Sequence, residues 1–151
     1  MPDTPSLKKL LDLAQKQSDD SAKNLGRLNY QHLEAERKLN LLLQYRQSYQ
    51  DRLQNAIQSG IGHVEWQNFI TFINKLDNAI SEQRLAVEYT ENNRKIGNDE
   101  YLSCQRKLNT YTTLVQRHQE SENIRQNKIE QKILDEFTSN RLARNNSNAN
   151  K

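Results

Sequence analysis

Residues 49–73 read YQDRLQNAIQSGIGHVEWQNFITFI, and the middle of that stretch decides the fold. Gly60-Ile61-Gly62 is the only paired breaker in the chain, and Gly60 can take the left-handed conformation that ends a helix. On both sides apolar residues recur at spacings of three and four: Tyr49, Leu53 and Ala56 before the turn, Trp66, Phe69 and Ile73 after it. Such spacing puts them on one face of a helix, and sustained over many turns it is the mark of a coiled coil. The stretch predicts two helices joined by a turn at 59–63 and folded back on one another.

The pattern continues outward in both directions. Toward the N-terminus it picks out Leu42, Leu39, Ala35, His32, Leu28, Leu25, Ser21, Ser18, Ala14, Leu11 and Leu7, with Arg46 filling the step between Tyr49 and Leu42. Toward the C-terminus it picks out Leu76, Ile80, Gln83, Val87, Thr90, Arg94, Gly97, Tyr101, Cys104, Leu108, Tyr111 and Val115. No proline follows Pro5, so nothing forces a break inside either helix. Gly26 and Gly97 sit alone inside the pattern, each costing about 1 kcal/mol against alanine. The expected organisation is a lead at 1–5, helices over about 6–58 and 64–142, and a disordered Asn-rich tail at 143–151. Thr4 is the expected N-cap of the first helix, with Pro5 at its first turn; the second helix has no capping side chain.

Folding back about Ile61 makes the two seams complementary. Leu53 then faces Phe69, Tyr49 faces Ile73, Leu42 faces Ile80, Ala35 faces Val87, Leu25 faces Gly97 and Ala14 faces Leu108, so large residues repeatedly meet small ones. Polar layers are expected at His32–Thr90, Leu39–Gln83, Leu28–Arg94 and Arg46–Leu76, where they loosen the middle and fix the register. Pairing should stop near Val115, leaving Ile124, Ile129, Ile133, Leu134, Phe137 and Leu142 as a thin unpartnered face.

Composition agrees with a narrow seam and excludes a thick globular core. Of 151 residues, 34% are hydrophobic and 27% charged, and the mean hydropathy is −1.05; an ordinary domain is nearly half apolar. Four glycines and two prolines are too few for an all-β chain with its many turns. The net charge of +3 comes from interspersed signs, without the dense basic stripe of a nucleic-acid binder. The single Cys104 excludes an internal disulfide and fits a reducing cytoplasm. No apolar run approaches the ~20 residues of a membrane span, and the start lacks the order of a signal peptide.

Two groups of apolar residues fall outside a minimal seam. Tyr45, Phe72 and Ala79 each precede a seam position, and with Leu42, Tyr49 and Leu76 they converge into one aromatic–aliphatic patch near the turn. That patch either widens the core or binds a partner. Leu10 and Leu13 join Leu7 and Leu11 as a broad apolar face at the other end. Nothing points to catalysis, a cofactor or a metal. His32, His63 and His118 are far apart, no Gly-rich phosphate loop exists, and Glu34, Glu36, Glu120 and Glu122 read as solvated helix faces.

On these residues the chain resembles the FliJ family of flagellar export proteins over nearly its whole length. The likeness is carried by Leu10-Leu11-Asp12-Leu13-Ala14 followed by Asp19-Asp20, by Tyr45 and Tyr49 around Arg46, and by Gly60-Ile61 with Trp66. Phe72-Ile73, Leu76, Ala79-Ile80 and Asp135-Glu136-Phe137 complete it. The resemblance implies an all-α antiparallel two-helix coiled coil, similar to the stalk subunits of rotary ATPases. It also implies a non-enzymatic part in type III protein export: binding the flagellar export ATPase and promoting its ring assembly, linking it to the export gate, and escorting substrate chaperones. Such a protein would be cytoplasmic, held peripherally at the inner membrane at the flagellar base. By the same resemblance Leu42, Tyr45, Tyr49, Phe72, Leu76 and Ala79 would contact the gate, while Lys38 and Gln83 depart from the family pattern. By analogy with a stalk entering a ring, Leu7, Leu10, Leu13, Ile129, Ile133 and Phe137 would meet the ATPase. The competing expectations are a self-associating coiled-coil scaffold or adaptor of another system, and a basic hairpin binding nucleic acid through Arg141 and Arg144.

Overall fold

The computed structural model describes residues 4–150. Met1–Asp3 of the expected lead, Lys151 of the expected tail and the Thr4 side chain expected as a cap lie outside the described residues. Within them are two helices, α1 (Thr4–Ser59) and α2 (His63–Ala149), packed antiparallel as an all-α hairpin with no strand.

The turn is made as its glycine requires. Gly60 has φ of +86°, in the region that costs a residue with a Cβ. Its N–H donates to the Ile57 carbonyl at 3.1 Å, and the Ser59 hydroxyl donates to the Asn55 carbonyl at 3.1 Å, so two carbonyls in the last turn of α1 gain a partner. α2 starts without a side-chain cap: the Gly62 carbonyl accepts from the Trp66 N–H at 3.1 Å. Glu65 supplies negative charge to the positive end of the helix dipole.

Two compact units divide the chain, one of Gln17–Cys104 and one of Met1–Lys16 with Gln105–Lys151. In the first, the core is a single file of Leu28, Ala35 and Leu53 from α1 with Ile73, Leu76 and Ile80 from α2. Every seam position expected on α1 here, from Ser18 to Ala56, is buried or half-buried. On α2 the same holds from Phe69 to Cys104, and Trp66 is the exception, 41% exposed and stacked on His63 at 6.1 Å. The seam therefore begins at Phe69, not Trp66: α1 stops at Ser59 and offers at its last seam position only Ala56, too small to cover an indole.

Cross-helix contacts fix the register at the one read from the sequence. His32 Nδ1 lies 3.1 Å from Thr90 Oγ1, joining the two polar residues expected to share a layer. One layer toward the turn, the Gln83 amide donates to the Ala35 carbonyl of the opposite helix at 2.9 Å. The two arginines leave the seam axis for its edges, where Arg46 donates to Asp77 at 2.5 Å and Arg94 donates to Glu91 at 2.7 and 3.0 Å. The polar layers are thus satisfied across the helices or locally, which removes most of the desolvation cost. Gly97 is buried where Leu28 crosses it; a Cβ there would come within 2.5 Å of Leu28 Cδ1. Buried Ser18 and Ser21 keep the helices close, with the Ser21 hydroxyl donating to the Ser18 carbonyl at 2.9 Å.

In the second unit Leu7 and Ala14 are buried, and Leu11, Leu108, Tyr111 and Val115 are half-buried. The seam spacing runs two steps further than apolar residues alone indicate, because His118 and Glu122 are also half-buried. Beyond Glu122 every described residue is exposed. α2 continues past the expected end at 142 to Ala149. Asn145, Asn146 and Asn148 are poor helix formers, yet no glycine or proline follows Gly97 to break the backbone.

Candidate functional site

The aromatic patch is built from two facing turns of the first unit. On α1, Tyr45 and Tyr49 are one turn apart and share a face; on α2, Phe69, Phe72 and Leu76 do the same. Tyr49 joins the two sets: its ring stacks on Phe72 with centroids 4.2 Å apart and meets Phe69 edge-on at 5.9 Å. Tyr45 is 53% and Phe72 40% exposed, whereas Leu76 is 8% exposed and forms the floor. Tyr45, Tyr49, Phe72 and Leu76, together with Ser48 and Arg52, line an open cavity of about 360 Å³.

Of the six residues expected in this patch, Tyr45, Tyr49, Phe72 and Leu76 line that cavity, and half-buried Leu42 and Ala79 do not. Ser48 and Arg52 are polar and so fall outside an apolar pattern. Their spacing was legible: residues 45, 48, 49 and 52 follow the three-and-four step of one helix face. The Arg52 guanidinium carbon lies 5.7 Å from the Tyr49 ring centroid, within cation–π range.

The residues expected to meet the ATPase do not form one surface. Leu7 is buried in the seam, while Leu10 and Leu13 are exposed. Ile129, Ile133 and Phe137 lie on one stripe of α2 and are all exposed. At 1.5 Å per residue, Ile129 is roughly 20 Å along α2 from Val115, the residue that the register sets opposite Leu7. Phe137 also borders a shallow cavity of about 340 Å³ with Asn140, Arg141 and Arg144, so its apolar stripe ends in cations.

A polar cluster lies across the seam at His32. Its Nε2 is 3.0 Å from Glu36 Oε1 and 3.1 Å from Glu91 Oε2. The Glu91 carboxyl is held below the ordinary carboxylate range, first by the hydrogen bond from Arg94, with burial opposing and the charges of Arg94, His32 and Lys95 helping. Arg94 is raised in turn by the same bond. These groups form an interhelical clamp. Glu34, expected as a solvated face residue, is half-buried and accepts from Arg37 at 2.6 Å. Among the described residues no group of three or more His, Cys, Asp or Glu is placed to hold a metal ion. Nor is any helix long and apolar enough to cross a membrane.

By its fold the chain is an all-α helical hairpin, distinguished by an aromatic face beside its turn. It belongs to the family described as "Flagellar FliJ protein", whose model matches residues 3–147. Two relatives agree. The Flagellar FliJ protein of Salmonella typhi is 30% identical over 132 residues, covering 87% of this chain and 90% of the relative. That of Escherichia coli (strain K12) is 29% identical over the same shares.

Proposed function

We propose that this chain is a non-enzymatic coupler in flagellar protein export, working by contact along its helices. It binds the flagellar export ATPase, promotes assembly and activity of the ring, and links that ring to the cytoplasmic domain of the export gate. It also escorts export chaperones. The working location is the cytoplasm, with peripheral attachment at the inner membrane beneath the flagellum.

One observation carries most of this reading: in a member of the flagellar family, Tyr45 and Phe72 hold aromatic rings at the surface although the seam beside them is already filled. Large exposed aromatics at one place are the usual anchors of a protein–protein contact. The exposed stripe Ile129, Ile133 and Phe137 is the corresponding support for an ATPase contact by the end of α2, together with exposed Leu10 and Leu13 of α1. Leu7, being buried, acts by holding α1 against α2.

The direct test is hydrolysis by the cognate flagellar export ATPase, measured against increasing ratios of this protein. Stimulation that disappears on deleting residues 124–151 is expected. Absence of an effect at every ratio would leave a hairpin with another partner and defeat the coupling proposal.

A further inference from the structure

Resting on the reading that the aromatic face meets the export gate, we propose that Arg52 makes the rim of that face a carboxylate-binding site. The partner segment then carries a bulky apolar side chain with an Asp or Glu about one helical turn away. The apolar part enters the cavity between Tyr45, Tyr49 and Phe72 over the Leu76 floor. The acidic part meets the guanidinium of Arg52, with the Ser48 hydroxyl one turn back on the same face.

Of the six arginines in this unit, four donate to a partner: Arg27 to Asn24, Arg37 to Glu34, Arg46 to Asp77 and Arg94 to Glu91. Arg84 has no such bond among the described residues, but it lines the groove with His32, Glu88 and Glu91 and lies outside the aromatic cavity. Arg52 has no ion pair or hydrogen bond among the described residues, although Asp51 is its neighbour in the chain; the Asp51 carboxylate accepts from Gln47 at 3.0 Å. Its one contact of note is with the Tyr49 ring. A guanidinium resting on an aromatic ring is already restricted, so less freedom is lost when it takes a ligand, and its planar fork matches a carboxylate with two bonds. No Asp or Glu lines the cavity, so nothing within it competes for that charge. An aromatic-walled cavity with an unpaired planar cation at its edge selects a ligand that is apolar and acidic at adjacent points. A purely apolar partner leaves Arg52 unused, and a purely acidic one leaves the rings uncovered.

The test uses the full chain and the cytoplasmic domain of the cognate export gate, with affinity measured over a range of salt. Arg52→Ala should weaken binding roughly tenfold at low salt and flatten its salt dependence. Arg52→Glu should weaken it further, with helical content unchanged in both. Equal weakening by the two variants with an unaltered salt dependence would mean that Arg52 only supports the Tyr49 ring, and would overturn the proposal. So would wild-type affinity in both. If Tyr45→Ala abolishes binding while the Arg52 variants retain it, the gate reading stands and the carboxylate rim falls. If the wild-type chain does not bind the gate domain, both fall together.

Discussion

Phe72 is 40% exposed and Leu76, one turn further along α2, is 8% exposed, so a single helix turn separates surface from core. Alanine at the two positions should have different effects. Leu76→Ala removes a packed side chain and should cost about 2–3 kcal/mol, read as a lower midpoint in thermal denaturation. Tyr45→Ala and Phe72→Ala should keep the helical signal and most of the midpoint while impairing partner binding and motility. A midpoint in Tyr45→Ala as low as in Leu76→Ala would make that ring part of the core. Gly97 poses a different residue-scale question, because the atom its missing Cβ would strike is the flexible end of Leu28. Gly97→Ala gains about 1 kcal/mol of helix propensity and loses about as much by displacing the Leu28 methyl, so the substitution should be nearly neutral. In a Leu28→Ala background the displacement vanishes, and the same change should stabilise by about 1 kcal/mol. Strict additivity of the two substitutions in urea denaturation would refute that account.

At the scale of elements, the polar layers hold two helices in register where apolar packing is thin. Glu91 is the member with a readable acid dependence. Its carboxyl is held low in the folded chain by Arg94, so its contribution is fully present above the ordinary carboxylate range and lost as pH falls through its depressed value. The difference in melting temperature between wild type and Glu91→Gln should therefore be larger at pH 7 than at pH 3. An equal difference at both would show that the clamp does not work through that charge. The seam itself was legible in the sequence, because a three–four alternation sustained from Leu7 to Val115 has one helical meaning and Gly60 fixes where the chain reverses. Three features were not legible. Trp66 fits the spacing but lies beyond the useful end of α1, a boundary effect that periodicity does not register. His118 and Glu122 occupy seam positions with polar side chains, so an apolar criterion ends the seam too early. The spacing of Arg52 puts it on the face of Tyr45 and Tyr49, but a charged residue there reads as solvated, and its contact with the Tyr49 ring is visible only in the structure.

For the whole molecule, the family match reaches residue 147 although every described residue beyond Glu122 is exposed. Those last residues of α2 contribute little burial and so little to the folded state. Deleting 124–151 should leave the melting temperature within a few degrees of wild type while removing stimulation of the ATPase. A collapse of the melting temperature would mean that this stretch is structural. The interspersed charges and the net +3 give no broad field for attracting an anionic polymer.

The turn at Gly60 has a kinetic consequence. The buried cluster of Leu53, Ile73, Leu76 and Ile80 begins within a few residues of the turn, where closing the chain costs least entropy. Folding should nucleate there and zip outward through the polar layers, with the N-terminal turns of α1 joining last. Leu53→Ala should accordingly slow folding, and Leu7→Ala should mainly speed unfolding. The reverse assignment in stopped-flow measurements would place the nucleus elsewhere. On a ribosome that order means the Tyr45–Phe72 surface can form once the chain has emerged to about Ile80, before the second half of α2 has been synthesised.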